Sequence, residues 1–157
     1  GKLGQLIAQV LALTGCDLTV VGRHEEKLSI LSTRGIPVQI GHQGLEMCAD
    51  LVVECTGQAE GFYTSRQLVR PRGMLVLKST YHGSVDTDLS SLVVDEIQVV
   101  GSRCGPFGAA LRLLERGLVE VLPLIEVEYP LEEALAAFEN SQMDCEHLGR
   151  LLPGHLE

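Results

Sequence analysis

The sequence predicts an α/β domain in which helices cover both faces of a doubly wound parallel sheet. Short apolar segments alternate with segments whose apolar residues recur at helical spacing, which is the pattern of repeated βαβ units. The predicted strands are apolar throughout, as strands buried on both faces are. The length of 157 residues fits one domain with its own core, in which we treat 141–157 as a C-terminal tail.

The chain opens with Gly1-Lys2-Leu3-Gly4, which leads directly into an amphipathic helix. Gly15 is placed to end this helix, because glycine readily takes the backbone conformation found after a helix. A buried strand is predicted next, at 18–21. The apolar stripe of the helix follows helical spacing and consists of Leu3, Ile7, Val10, Leu11 and Thr14.

The remaining elements alternate in the same way. Pro71 and Gly73 are expected to end a helix, and Pro130 is expected in the first turn of the last helix. Further strands are predicted at 38–40, 49–54, 74–77, 97–100 and 124–128. Helices are predicted at 25–34, 58–69 and 106–116, with a partly helical crossing at 86–94. The apolar stripe of the last helix consists of Leu131, Ala134, Leu135 and Phe138.

The composition argues against several classes of partner. A formal net charge of −9 disfavours nucleic acid and anionic membrane surfaces. The longest apolar runs are far shorter than the ~20 residues of a membrane-spanning helix. The five cysteines are scattered, with no Cys-x-x-Cys pair, which indicates small buried thiols instead of disulfides or a zinc site. We therefore expect a cytoplasmic protein.

The opening glycines predict a nucleotide-binding loop. Gly1 and Gly4 stand at the spacing of the second and third glycines of a Gly-x-Gly-x-x-Gly motif. In that motif the backbone touches a pyrophosphate, the last glycine lets the helix pack closely, and the helix start offers free N–H groups. The first glycine and the strand before it are absent, so we expect an N-terminally truncated domain. The alternative is an ordinary helix that happens to begin with glycine.

Four predicted strands end in small, polar or flexible residues. Ligands of parallel sheets bind beyond the carboxyl ends of the strands. Each end taken singly is best interpreted as a loop, but the four together favour a binding cleft. They are Gly22-Arg23, Cys55-Thr56-Gly57, Lys78-Ser79-Thr80 and Gly101-Ser102-Arg103.

Several segments, taken in their order and spacing, resemble one protein family. They are the glycine loop with its helix, 50–57, 72–77, 100–107, 130–138 and the tail segment 148–153. The chain resembles the C-terminal, cofactor-binding domain of the medium-chain dehydrogenase/reductase superfamily, of the zinc-type alcohol dehydrogenase kind. The resemblance covers the chain nearly end to end and implies a Rossmann-like fold.

The resemblance implies NAD(P)-linked oxidation of a small-molecule alcohol, or reduction of a carbonyl compound. In such enzymes a separate domain upstream of the glycine loop binds the substrate, usually through a zinc ion. None of that domain is present, so we assign no catalytic residue and no zinc ligand to this chain, and we expect the chain alone to be inactive. His42, His82 and His147 are interpreted as surface or loop residues.

The resemblance also implies which positions bind the cofactor. Gly1, Lys2 and Leu3 match positions whose backbone meets the pyrophosphate, with Gly4 completing the loop. Lys27 matches a base at the adenosine ribose, and Cys55 and Thr56 match the strand end under the cofactor. Lys78, Ser79, Ser102 and Cys104 match positions near the nicotinamide, mostly through backbone atoms. The default interpretation of Cys104 is a packing residue.

The residues after the second predicted strand favour NADP(H). NAD-specific domains carry an acid there, about 20 residues past the glycines, that bonds the ribose 2′-hydroxyl. This chain has Gly22 followed by Arg23, which leaves room for a 2′-phosphate and offers a guanidinium to pair with it. Lys27 adds positive charge, whereas Glu25 and Glu26 weaken it. The alternative is that Arg23 lies on the adenine, so that NAD(H) also binds.

Other functions remain open on the sequence. A zinc-free quinone or enone reductase of the same superfamily uses the same cofactor domain. A non-catalytic dinucleotide-sensing module is a different class, and a methyltransferase-like sheet is more remote. The segment from 101 to 138, in the C-terminal half of the chain, matches dehydrogenases and has no evident purpose in a sensing module or a methyltransferase.

The resemblance implies a homodimer or higher oligomer. Relatives commonly pair through the strand that corresponds here to Ile97-Gln98-Val99-Val100. This short apolar strand has no proline or lysine to prevent pairing with another chain, which fits a paired edge.

Overall fold

The computed structural model describes residues 1–81, 83–143 and 149–152, with side chains described for 1–81 and 83–140. His82 and His147 lie outside the described residues, as do Cys145 and the end of the tail. The helices in these ranges are α1 (Lys2–Ala12), α2 (Glu25–Ser32), α3 (Ala59–Leu68), α4 (Leu89–Val94), α5 (Phe107–Glu115) and α6 (Ala134–Met143). The strands are β1 (Val20–Gly22), β2 (Val38–Ile40), β3 (Ala49–Glu54), β4 (Val69–Leu77), β5 (Gln98–Gly101), β6 (Val127–Pro130) and β7 (Gly149–Leu152).

The strand pairs of the described residues are all parallel, which confirms the predicted α/β class. β1 pairs with β2, and β3, β4 and β5 form a second sheet with β4 in the centre. β6 pairs with β7. The prediction of one continuous sheet is therefore not met within these residues, because β1 and β3 are not hydrogen-bonded to each other.

Helix α1 connects the first two sheets by packing on both. Ala8 belongs to a buried cluster with Leu31 and Ile36, against which residues of β1 and β2 pack. Gly4 lies against the end of β3, where a Cβ atom on this glycine would be 2.9 Å from the Cys55 Sγ atom. The helix thus fixes the position of β1 and β2 relative to β3.

The face of α1 that is buried differs from the predicted apolar stripe. Gln5 and Gln9 are buried, whereas Leu3 and Val10 are exposed. Gln9 is buried because its amide pairs with the backbone of Glu120: Nε2 donates to the carbonyl at 3.0 Å, and Oε1 accepts from the N–H at 2.7 Å. The backbone of Glu120, 111 positions further along the chain, therefore determines which face of α1 is buried.

The start of β4 also differs from the prediction. The strand begins directly after α3, at Val69, so that Pro71 and Gly73 lie within the strand and do not end the helix. Ala49 of β3 pairs with Val69 of β4, and Leu51 pairs with Met74. An advance of two residues along β3 therefore corresponds to five along β4, so the pairing is irregular here. Such an irregularity accommodates a proline, which has no N–H to donate.

The last third of the chain follows the prediction only in outline. The extended segment predicted at 124–128 contains a 3₁₀ helix, Leu122–Leu124, before β6. The last helix begins as a 3₁₀ turn after Pro130. Its predicted stripe is largely exposed in the described residues, with Leu135 at 80%.

Replacing the buried amide of Gln9 is expected to destabilise the fold. Gln9→Ala removes both part-buried hydrogen bonds to the backbone of Glu120, which costs roughly 1–3 kcal/mol. Urea unfolding followed by circular dichroism measures the free energy of unfolding. The matched control is Gln67→Ala on the exposed face of α3, expected to change it by no more than about 0.5 kcal/mol. Equal effects of the two substitutions would contradict the role assigned to Gln9.

Candidate functional site

The start of α1 offers unpaired backbone N–H groups beside the end of β3. Gly1 is the N-cap and provides no side-chain hydrogen bond, and the N–H of Gln5 is bonded to the Gly1 carbonyl at 3.2 Å. The N–H groups of the first helical turn have no partner within a helix, and they carry a partial positive charge. Because Gly4 has no side chain, this turn lies directly against Cys55.

The carboxyl ends of three strands stand side by side. The N–H of Lys78 donates to the Glu54 carbonyl at 2.9 Å, and the N–H of Ser102 donates to the Leu77 carbonyl at 2.9 Å. These bonds continue the sheet one residue beyond each strand. The predicted positions Cys55, Lys78 and Ser102 are therefore brought to one edge.

The Lys78 side chain holds the loop after β5. Its ammonium group donates to the carbonyl of Arg103 and lies 3.4 Å from the carbonyl of Ser102. Two carbonyl oxygens therefore face the positive charge. Cys104 follows in the same loop and is exposed.

The cysteines do not match the prediction of small buried thiols, since Cys16, Cys48 and Cys104 are exposed. Cys55 is partly buried, and burial raises the pKa of its thiol. A raised pKa keeps the sulfur protonated at neutral pH and makes it a poor nucleophile. This state suits the packing contact of Cys55 with α1.

Gly22 at the end of β1 is packed against α2. A Cβ atom here would lie 2.9 Å from the Cδ2 atom of Leu28, which is buried. The structure thus gives a packing reason for glycine at this position. Arg23 is exposed on the loop that follows.

A cleft of about 290 Å³ opens between the starts of α1 and α2 and the segment 123–126. The Lys2 ammonium nitrogen lies 3.3 Å from Glu126 Oε1 in this cleft. The Gln5 Oε1 atom is buried there without a hydrogen-bond partner in the described part of the chain. The lining residues are Gly1, Lys2, Gln5, Glu26, Lys27, Ile30, Pro123, Leu124 and Glu126.

Glu54, which the sequence identified only as the end of a strand, lies at the centre of a hydrogen-bond network. Its Oε1 atom accepts from the backbone N–H and from the hydroxyl of Thr56, both at 2.6 Å. Its other oxygen accepts from the Tyr81 hydroxyl. Burial raises the pKa of Tyr81 well above its ordinary value, and the hydrogen bond to Glu54 and the charge of this carboxylate raise it further.

The predicted residues form two neighbouring groups. Gly1, Lys2 and Lys27 line the cleft, while Gly4 contacts Cys55 at the strand ends. Leu3 is exposed at the helix start, and Ser79 packs near Gly57.

Sequence reasoning missed Gln5, Glu54, Tyr81 and Glu126. The one available signal was the charge of Glu54 at the end of the apolar run Leu51-Val52-Val53. The partners Tyr81 and Glu126 come from distant parts of the chain, and no spacing pattern connects them to the glycine loop.

The acidic, histidine and cysteine side chains of the described residues are dispersed. No three or more of them come together in a group that could hold a metal ion in this part of the chain. These residues do not fit a zinc site, and we place no zinc on them. Within the same ranges, every helix is too short or too polar to cross a bilayer.

Comparisons with known proteins support the resemblance. Residues 3–116 match the family model described as zinc-binding dehydrogenase. Sorbitol dehydrogenase of Gallus gallus is 30% identical over 95 residues, which are 59% of this chain and 27% of the relative. The structure of L-idonate 5-dehydrogenase from Escherichia coli superposes with a TM-score of 0.84 at 21% identity, covering 97% of this chain and 47% of that one.

The structure of a Sinorhizobium meliloti 1021 protein bound to NADP is also similar, with a TM-score of 0.73 and 24% identity. It covers 89% of this chain and 46% of that chain. The chain spans about half the length of the curated relatives that it matches along most of its sequence.

The raised pKa of Tyr81 predicts a specific pH dependence of stability. The folded chain keeps a proton that the unfolded chain loses above about pH 10, the ordinary tyrosine pKa. Tyr81 therefore contributes stability that is complete below that pH and is lost as the pH rises toward its folded pKa. Urea unfolding of wild type and Tyr81→Phe from about pH 8 to about pH 11 should show a difference in unfolding free energy that shrinks at the alkaline end. A difference that stays constant would contradict the shift.

Proposed function

The chain belongs to the zinc-binding dehydrogenase family, and from this premise we propose that it is the dinucleotide-binding domain of an NAD(P)-dependent alcohol or polyol dehydrogenase. The observation that carries the proposal is the contact of Gly4 with Cys55, where a Cβ atom would lie 2.9 Å from the sulfur. This contact turns the free N–H groups of a helix start toward the ends of parallel strands. Dinucleotide pyrophosphates bind in such places.

The residues present fit a dinucleotide in two respects. The first turn of α1 has N–H groups to donate to a pyrophosphate, and no side-chain cap competes for them. Gly57 has a φ angle of +70°, and a Cβ atom there would be 3.1 Å from the Thr80 carbonyl oxygen. The strand ends therefore offer a close backbone surface. We assign the pyrophosphate to residues 1–4 and the nicotinamide half to Cys55, Thr56, Lys78, Ser79, Ser102 and Cys104.

The proposed reaction is hydride transfer between an alcohol or carbonyl compound and the nicotinamide ring, which accepts or donates the hydride when bound. On this chain the residues bind and orient the cofactor. The substrate and the zinc ion of the family would be held by residues outside the chain. Since the similar proteins include sorbitol dehydrogenase and L-idonate 5-dehydrogenase, we propose a small polyol or sugar acid as the substrate class.

We also propose a cytoplasmic location, which the free cysteines among the described residues fit. Family membership favours an oxidoreductase over a methyltransferase-like sheet.

A preference for NADP(H) is proposed on the charges near the end of β1. The strand ends in Gly22 without an acid to repel a 2′-phosphate, and the exposed Arg23 follows. Lys27 lies in the first turn of α2 and lines the cleft. A guanidinium makes strong, charge-assisted hydrogen bonds to phosphate, so Arg23 is the residue we assign to this group.

Calorimetric titration of the chain with NADPH and NADH tests both the function and the preference. Arg23→Ala is expected to weaken NADPH binding about tenfold, or about 1.4 kcal/mol, and to leave NADH binding nearly unchanged. Arg112→Ala on α5 is the matched control for loss of one arginine and should alter neither affinity. Equal weakening of both cofactors by Arg23→Ala would disprove its role at the phosphate. If wild type binds neither cofactor, the proposed function fails for this chain.

We propose further that two copies of the chain pair through β5. This strand is the edge of its sheet in the described residues, with β4 as its neighbour. Val99 and Val100 are 42% and 41% exposed, and Val93 and Val94 of the preceding helix are more exposed still. An unprotected apolar edge strand pairs readily with another strand. A second copy of the same edge would extend the sheet and cover this surface.

A charge placed on the β5 edge is expected to prevent dimer formation. Val100→Lys should shift the mass measured by analytical ultracentrifugation from dimer to monomer, because the lysine would lose its hydration in the interface. Ile40→Lys is the matched control, since Ile40 ends β2, away from β5, and is 56% exposed. A wild-type chain that stays monomeric at high concentration would refute the proposed pairing.

A further inference from the structure

Strand β3 ends on a charged side chain that is almost completely buried. Glu54 is 1% exposed and follows the apolar residues Val52 and Val53. A buried carboxylate is unfavourable unless hydrogen-bond donors replace its lost hydration. The hydrogen-bond partners of Glu54 therefore indicate which parts of the chain this side chain holds together.

Three donors from two different loops compensate the charge of Glu54. Its Oε1 atom accepts both the backbone N–H and the hydroxyl of Thr56 at 2.6 Å. Its second oxygen accepts the hydroxyl of Tyr81, 27 residues further along the chain. The Thr56 hydroxyl oxygen also accepts from the N–H of Gln58 at 3.1 Å, at the start of α3. We call Glu54, Thr56 and Tyr81 the Glu54 clamp.

The Glu54 clamp joins two loops that are already in close contact. The first loop, 55–58, follows β3, and the second, 78–81, follows β4. A Cβ atom on Gly57 would be 3.1 Å from the Thr80 carbonyl oxygen and 3.5 Å from the Ser79 Cβ atom. A Cβ atom on Gly61 would be 1.9 Å from the Thr56 hydroxyl oxygen, so α3 also closes over the clamp. Neither loop can shift without disturbing the other.

The hydroxyl of Tyr81 is well suited to donate a lasting hydrogen bond to Glu54. Its raised pKa keeps the proton on the oxygen well above neutral pH. The hydroxyl therefore remains a donor to Glu54 at neutral pH. The geometry alone, and not this pKa, defines which loops are joined.

We propose that Glu54 and Tyr81 are positioning residues that hold the two loops in the arrangement needed to bind the nicotinamide half of the cofactor. This inference rests on the proposed function. Glu54 is buried, so it acts through Thr56 and through the loop that carries Tyr81. The start of α1, which we assign to the pyrophosphate, is not part of the clamp. Cys55 of the first loop lies against Gly4, but none of the three clamp residues does, so we expect the clamp to matter mainly for the nicotinamide half.

The experiment compares a complete cofactor with the same molecule lacking nicotinamide. Wild type and Tyr81→Phe are titrated calorimetrically with NADPH and 2′-phospho-ADP-ribose, and in parallel with NADH and ADP-ribose. Tyr81→Phe is expected to weaken binding of the complete dinucleotide about tenfold and to weaken binding of the nicotinamide-free partner less than twofold. Glu54→Gln should show the same selective loss, because an amide nitrogen cannot accept hydrogen bonds as a carboxylate does.

The matched control is Tyr63→Phe. The Tyr63 hydroxyl also spans two segments by donating to the Asp86 carbonyl at 2.7 Å, but it lies outside the clamp. It should change neither affinity. Hydrogen exchange without ligand provides a second readout: amides of 55–58 and 78–81 should exchange faster together in Tyr81→Phe and stay protected in Tyr63→Phe.

The outcomes separate the inference from the proposed function. Equal weakening of the dinucleotide and of its nicotinamide-free partner would mean that the clamp only stabilises the fold, and would overturn the inference. Unchanged binding of both would overturn it as well. If wild type binds none of the four compounds, the proposed function fails, and the inference falls with it. If Tyr81→Phe does not fold, Glu54→Gln provides the same comparison.

Discussion

The close approach of α1 to the end of β3 determines how the rest of the structure is arranged. It exists because Gly4 has no side chain, so that the first helical turn lies against Cys55. The same helix packs through Ala8 on the cluster beneath β1 and β2. Two sheets that share no hydrogen bonds in the described residues are thus held by one helix. The strand ends, the helix start and the cleft become neighbours as a result. A larger residue at position 4 would have to displace the side chain of Cys55.

The parts of the fold that the sequence predicted well are those decided by local pattern. β2 and β3 have the predicted bounds because each is a short apolar run flanked by polar or turn-forming residues. The start of β4 was wrong because the irregular pairing that admits Pro71 depends on β3, about 20 residues away. The buried face of α1 was wrong for the same reason, since Gln9 is buried by a backbone segment at Glu120. The hydrophobic periodicity of a segment contains no information about such distant partners.

The candidate site was predictable where it consists of strand ends. Parallel strands place their carboxyl ends at one edge, so the order of strands along the sequence is enough to group Cys55, Lys78 and Ser102. The cleft beside Lys2 could not be predicted, because half of its wall comes from 123–126. Glu54 was visible as a charge after apolar residues, but its donors, especially Tyr81, become evident only when the two loops are folded. Sequence patterns thus locate the backbone frame of the site better than the side chains that support it.

The packing of Gly22 on Leu28 has a consequence for how such a domain changes over evolutionary time. Introducing the acid that recognises a ribose hydroxyl requires a Cβ atom where Leu28 now lies 2.9 Å away. Leu28 is buried, so its side chain would have to shift or become smaller, and a leucine-to-alanine change in a core costs roughly 2–5 kcal/mol. An acid at this strand end therefore requires a change in the packing of Leu28 as well as a change at position 22, so the choice of ligand and the packing of α2 are coupled through one contact.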